Sequence, residues 1–302
     1  MEELVYHYTT TECFQKILEN SIDKKTGKIT EFKFWASSIY AMNDPTEFLH
    51  GYSLICKELP KMERSIGIID DKYKLSVLDV AQCEIDVKNK QNNITEAIYD
   101  SDDIPFILSF VKQECRDFLP MWSTYANNGN GICLGFCNNE YQIDFAEGDY
   151  NVELLHRLHA SDVSYDGIDD IANRTLLNFY SNSYEKYRNY ESKELMSCKI
   201  RCLAQMALIG APYHKHEAYR YEQESRLIKF CKNANQVKYR SSERGRFIPY
   251  LEVPIKKDFL KEIIIGPCAD GVALKRDIKK ELNKYGVYDI EIIPSRVPYR
   301  EY

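Results

Sequence analysis

No Cys-x-x-Cys pair, no GxGxxG or Walker-type glycine loop, no internal repeat and no low-complexity linker occurs in the 302 residues. Without a phosphate-cradling glycine loop, any nucleotide has to be held by side chains and other backbone geometry. The ten cysteines read as reduced thiols. Cys133 with Cys137, and Cys198 with Cys202, each share a face at their spacing, but nothing nearby completes the roughly four ligands of a zinc site, so no metal site is expected. No apolar run approaches the about 20 residues of a membrane span, which predicts no membrane association. The opening Met-Glu-Glu-Leu-Val-Tyr-His lacks the basic and apolar regions of a leader, and with the unpaired cysteines this predicts a cytoplasmic protein. Nothing in the chain bears on oligomeric state.

The composition is that of a folded protein: 44% hydrophobic and 28% charged residues, with a net charge of −6. That sign argues against non-specific coating of nucleic acid. Charge is unevenly distributed, with eleven Lys or Arg against four Glu between Lys199 and Arg246. A local basic excess suits either a phosphate-bearing ligand or dispersal over solvated faces. Twenty-three tyrosines suit surfaces that stack rings or bases.

Periodicity predicts an intermixed set of elements. Leu4–Thr9 reads as a strand, followed by a helix capped at Thr9, Thr10 or Thr11 with Phe14, Ile17 and Leu18 on one face. A strand over 32–37, a turn at Asn43-Asp44-Pro45 and a helix with Glu47 at its positive end come next. Strands are expected at 104–111, 132–136, 225–230, 247–255, 262–265 and 289–293, with further strand-like sequence at 152–163. A short helix is expected at 116–126, a further helix at 272–285, and the longest helical region at 167–209. Residues 1–302 therefore read as one α+β domain with probable helical insertions at about 60–104 and 167–209, because strands and helices lack a regular βαβ rhythm.

Three stretches could carry chemistry. On the first strand, alternation separates His7 from Tyr6 and Tyr8. In Met121-Trp122-Ser123-Thr124-Tyr125, one helical turn brings Trp122 and Tyr125 together beside the glycine turn at 127–131, either to wall a pocket for a planar ring or to pack in the core. In Tyr221-Glu222-Gln223-Glu224-Ser225-Arg226, Glu222 and Glu224 face the same way in an extended or turn geometry, flanked by Arg220 and Arg226. Such a carboxylate pair suits a ribose and a developing cation, or a salt-bridged strand edge. His214-Lys215-His216 reads as a surface loop, or, on a strand that points both imidazoles one way, as a metal or phosphate contact.

Tyr6-His7-Tyr8-Thr9, Asn43-Asp44-Pro45 with Glu47, Met121-Trp122 with Tyr125, the Glu222-x-Glu224-x-Arg226 run and Ile264-Ile265-Gly266-Pro267 occur in that order. In them the chain resembles the bacterial family catalogued as domain of unknown function 2971, a family label without a settled activity. His7-Tyr8-Thr9 followed by a short helix containing Ile17-Leu18 is more distantly similar to the opening of the ADP-ribosyltransferase superfamily, whose members include toxins that modify DNA bases. That resemblance implies mixed or antiparallel central sheets of that type and NAD as substrate. It implies His7 as a ribose ligand, Tyr8 or Tyr125 as a stacking ring on nicotinamide, and Glu222 or Glu224 as the catalytic carboxylate. Glu-x-Glu is similar to the pair of arginine-modifying members, which begin with Arg where this chain has His7. Arg226 and Arg246 are the expected pyrophosphate ligands.

Three functions follow as expectations. The first is NAD-dependent ADP-ribosyl transfer to a macromolecule, nucleic acid or protein, in a toxin or phage-defence setting. The second is a binding module that holds a nucleotide or partner without turnover. The third is a metal-dependent nuclease using Asp44, Glu47 and the later glutamates.

Overall fold

The computed structural model describes residues 4–42, 44, 46–92, 104–137, 159–165, 167–168, 170–231, 234–241, 245 and 247–299. Asn43, Pro45, His156, Arg246 and the strand reading over 152–158 lie outside these. The strands are β1 (Leu4–Thr9), β2 (Glu31–Ser38), β3 (Ile104–Val111), β4 (Ile132–Cys137), β5 (His159–Asp162), β6 (Glu224–Cys231), β7 (Lys238–Ser241), β8 (Phe247–Lys256), β9 (Leu260–Ile265) and β10 (Glu291–Pro294). The α-helices are α1 (Thr11–Ser21), α2 (Glu47–Ser65), α3 (Val77–Asn92), α4 (Leu119–Tyr125), α5 (Asp170–Tyr187), α6 (Ser192–Gly210) and α7 (Gly271–Lys284).

Local chemistry explains most of these elements. Of the three threonines able to start α1, Thr10 does so: its hydroxyl accepts the Cys13 N–H at 3.1 Å. Phe14, Ile17 and Leu18 form its buried face, as the spacing predicts. Continuous apolar sequence makes β3 and β4 interior strands, whereas the alternation of β2 buries Phe32, Phe34, Ala36 and Ser38 and leaves the residues between them more exposed. β7 is a departure from expectation. Its sequence, Lys-Tyr-Arg-Ser, carries no apolar alternation, and pairing with β8 alone makes it a strand.

The strands form one mixed, open sheet in the order β10-β9-β4-β1-β3-β2-β8-β7, with β6 joined to β3 and β5. β9 and β10 run parallel, and the other named strand pairs of the described residues are antiparallel. β6 pairs with β3 along its whole length, from Ile104↔Cys231 to Val111↔Glu224. The other edge of β3 is divided: β1 meets it at Val111, and β2 at Phe106 and Ile107. Leu108, Ser109 and Phe110 therefore face a gap where β1 and β2 part.

The two stretches expected as helical insertions pack against each other. The Tyr180 hydroxyl of α5 donates to Glu63 of α2 at 3.0 Å, and Lys199 of α6 pairs with Asp79 of α3 at 2.8 Å. Leu203 and Met206 of α6 share a core with Ile55 of α2 and Phe106 of β3, so the helical layer and the sheet bury one continuous apolar cluster.

Candidate functional site

The chain before β6 decides the site. After α6, a 3₁₀ turn over Ala211–Tyr213 leads to His214, whose Nδ1 lies 2.8 Å from the Gly210 carbonyl oxygen. Lys215 follows, and a second 3₁₀ turn covers Glu217–Glu222. His214 and Lys215 are both buried, which overturns the surface-loop reading of His214-Lys215-His216. Gln223 then adopts the left-handed conformation, φ 42° and ψ 55°, which few non-glycine residues take. Its carbonyl accepts the Lys112 N–H at 3.0 Å. This turn ends the 3₁₀ segment with Glu222 and starts β6 with Glu224, so both carboxylates converge on one cation. Lys215 Nζ donates to Glu222 Oε2 at 2.7 Å and to Glu224 Oε2 at 3.0 Å.

A larger network surrounds that pair. Arg226 donates to both Glu224 oxygens, at 2.8 and 2.9 Å, and to the Pro212 carbonyl at 2.8 Å. It also pairs with Glu47, the first residue of α2, at 2.7 Å. The Tyr125 hydroxyl of α4 donates to Glu222 Oε1 at 2.9 Å. Burial opposes ionisation of Glu224, but the cations of Arg226 and Lys215 outweigh it and hold the carboxyl well below the usual carboxylate range. Burial pushes Glu47 the other way, upward, and Glu224 adds to that push while Arg226 opposes it. Two cations thus face three carboxylates.

His7 approaches from the other side of the gap. Its Nδ1 lies 2.9 Å from the Ser109 carbonyl of β3. A carbonyl only accepts, so Nδ1 carries the proton. Phe34 meets the ring edge-on at a centroid distance of 5.3 Å, and Phe110 lies at 5.6 Å. Burial lowers the pKa of His7, and the Ser109 hydrogen bond opposes this only in part. The ring is thereby neutral near pH 7, with Nε2 as an acceptor.

A cavity of about 390 Å³ lies at this gap, within the range of about 300–1,000 Å³ common for small-molecule sites. Its wall includes His7, Ser109, Tyr125, Lys215, Glu222 and Glu224, and also Glu47. The imidazole of the first strand and the carboxylates on either side of the Gln223 turn therefore share one void. Tyr8 also lines it, but its hydroxyl is engaged elsewhere: it donates to the Cys115 carbonyl at 2.7 Å and accepts the Phe118 N–H at 3.0 Å. Trp122 is fully buried behind Tyr8, edge-on at 4.8 Å, and its Nε1 donates to Asp117 at 2.8 Å. Of the two readings of Trp122, core packing is the one observed, and its ring is not part of the cavity wall.

Arg226 does not serve as the expected pyrophosphate ligand either. Its guanidinium is enclosed and engaged by Glu47, Glu224 and Pro212, so it orients carboxylates instead of meeting a ligand. Sequence reasoning missed Lys215, which sits among polar neighbours and carries no periodic signal of burial. Asp44, Glu47, Glu222 and Glu224 do reach one cavity, but Lys215 and Arg226 already pair three of them. Among the described residues no group of three or more His, Cys, Asp or Glu is arranged to hold a metal ion.

The family model described as "Protein of unknown function (DUF2971)" matches residues 121–227. Over that stretch, about a third of the chain, the sequence is similar to the DUF2971 family. The stretch begins at α4 and ends within β6, so it contributes Tyr125, Lys215, Glu222, Glu224 and Arg226, whereas His7 and Glu47 lie before it. No curated protein and no solved structure matches the chain. Among the described residues no helix is long and apolar enough to cross a membrane.

Proposed function

We propose that this protein transfers ADP-ribose from NAD to a macromolecular acceptor, nucleic acid being the class its basic segment and tyrosines suit. The observation that carries this reading is the shared cavity of His7 and the Glu222–Glu224 pair. Breaking the ribose–nicotinamide bond sends its electron pair to the leaving nicotinamide and builds positive charge on the sugar, as in glycoside cleavage. The acceptor's nucleophile attacks the anomeric carbon and gives up a proton.

Glu222 is the carboxylate assigned to that charge. Glu224 has both oxygens clamped by Arg226 and a further bond from Lys215, so its charge is largely spent. Glu222 shares Lys215 and otherwise accepts from the neutral Tyr125 hydroxyl, which orients it. A carboxylate fixed in this way stabilises the transition state more than the ground state. His7 Nε2 accepts a hydrogen bond from a ribose hydroxyl, and Tyr125 gives its ring to nicotinamide. The similarity of the first strand to ADP-ribosyltransferase openings extends the reading to a cytoplasmic toxin or phage-defence effector.

Release of labelled nicotinamide from NAD by the full chain tests the proposal. Turnover that survives chelator and falls in Glu222→Gln supports it. NAD binding with no release would leave a binding module in its place, and chelator-sensitive cutting of nucleic acid would favour the nuclease.

A further inference from the structure

The wing of the sheet across the gap from β6 carries an arginine that the carboxylate network does not use. Arg240 of β7 lines the same cavity as Lys215 and Glu222. Its Nη2 donates to Ser37 Oγ of β2 at 3.0 Å, and its guanidinium lies 5.7 Å from the Trp35 ring. Arg240 has no carboxylate within ion-pair distance among the described residues, whereas Arg116 holds Glu262 and Arg226 holds Glu47 and Glu224. Its Nε is buried without a hydrogen-bond partner, and so is Nε1 of Trp35, another wall residue of the cavity.

An arginine cannot shed its charge, so a desolvated guanidinium without an anion is costly. Two buried N–H donors left open beside it add to that cost. Strand register explains how they meet. Ser37 pairs with Tyr250 and Arg240 with Ile248, so β8 brings β2 and β7 side chains to one face. A planar fork of donors next to an indole N–H and a hydroxyl matches a phosphate group.

We infer that Arg240, with Trp35 Nε1 and Ser37 Oγ, binds a phosphate of the cavity's ligand. The group that meets Glu222 then lies at the opposite end. This goes beyond the transfer reading, because it holds equally for a nucleotide that is bound and never cleaved. It also replaces Arg226 as the phosphate ligand.

Calorimetric titration of the full chain with ADP and with adenosine tests the assignment. The wild type is expected to bind ADP at least tenfold more tightly than adenosine. Arg240→Gln should bring ADP down to the adenosine level, and Arg240→Lys, which keeps a point charge, should retain part of the difference. Without ligand, Arg240→Gln should melt no lower than the wild type, because it removes a half-buried charge that has no carboxylate partner among the described residues; a purely structural arginine would show the reverse. Equal binding of ADP and adenosine by the wild type, a preference that survives Arg240→Gln, or a clear fall in the ligand-free melting temperature would overturn the inference. Absence of nicotinamide release with the ADP preference intact would instead count only against transfer.

Discussion

At the residue scale, Glu222 and Glu224 are neighbouring carboxylates held by different partners. Glu222→Gln removes a charge that faces the cavity and keeps the Tyr125 hydrogen bond within reach. It is expected to lower kcat for nicotinamide release by a factor corresponding to about 2–4 kcal/mol, and to lower the melting temperature less than Glu224→Gln does, because Lys215 keeps Glu224 as a partner. Glu224→Gln strips Arg226 and Lys215 of a shared buried partner, and loss of about 3–5 kcal/mol of stability is expected in denaturant titration. If both variants lost activity alone, the division of labour would be wrong. His7 supplies a pH signature. Its folded-state pKa lies below the ordinary 6.5, so as pH falls through 6.5 the unfolded chain takes up a proton before the folded one does. Stability should therefore fall with pH in that window, and His7→Gln should flatten the slope. The candidate residues were legible to different degrees for one reason. A strand histidine and a Glu-x-Glu pair announce polar chemistry by type and spacing, whereas Lys215 looks like any surface lysine until the fold buries it against Glu222, Glu224 and the Tyr219 ring.

At the element scale, the turn at Gln223 links backbone geometry to chemistry. A left-handed non-glycine residue costs about 1–2 kcal/mol, and here that conformation lets a 3₁₀ turn and a strand present Glu222 and Glu224 to the same lysine. Gln223→Gly should keep nicotinamide release. Gln223→Val, whose branched side chain fits that region poorly, should lose stability by about that amount and lose turnover as the glutamates separate. Gly131 sets another constraint, since a Cβ there would collide with the Thr9 carbonyl oxygen at the end of β1. The interior strands and α1 could be read from apolar runs and a cap, because local sequence and tertiary burial agree there. β7 could not, because an edge strand of polar residues depends on its neighbour.

At the scale of the whole molecule, the helical layer and the sheet share one core, which sets an expectation for unfolding. Trp122 reports the cluster behind β1, and Trp35 lies on the opposite wing of the sheet. Their fluorescence and the far-ultraviolet circular dichroism of the helices should therefore change together on heating. Separate transitions would mean that α2, α3, α5 and α6 form an independent unit. Lys199→Met, which leaves Asp79 buried without its cation, should lower that common midpoint and not split it.

Side-chain period, turn chemistry and residue type belong to the chain itself, and they already determined most of the element types, the mixture of strands and helices, and the presence of a carboxylate pair. Hydrogen-bonding partners are another matter, because a charge is neutralised by whatever the fold brings within about 3 Å. Only the divided edge of β3 opened a cavity between the first strand and the sixth. Only packing decided that Arg226 is enclosed by carboxylates while Arg240 is left facing the void.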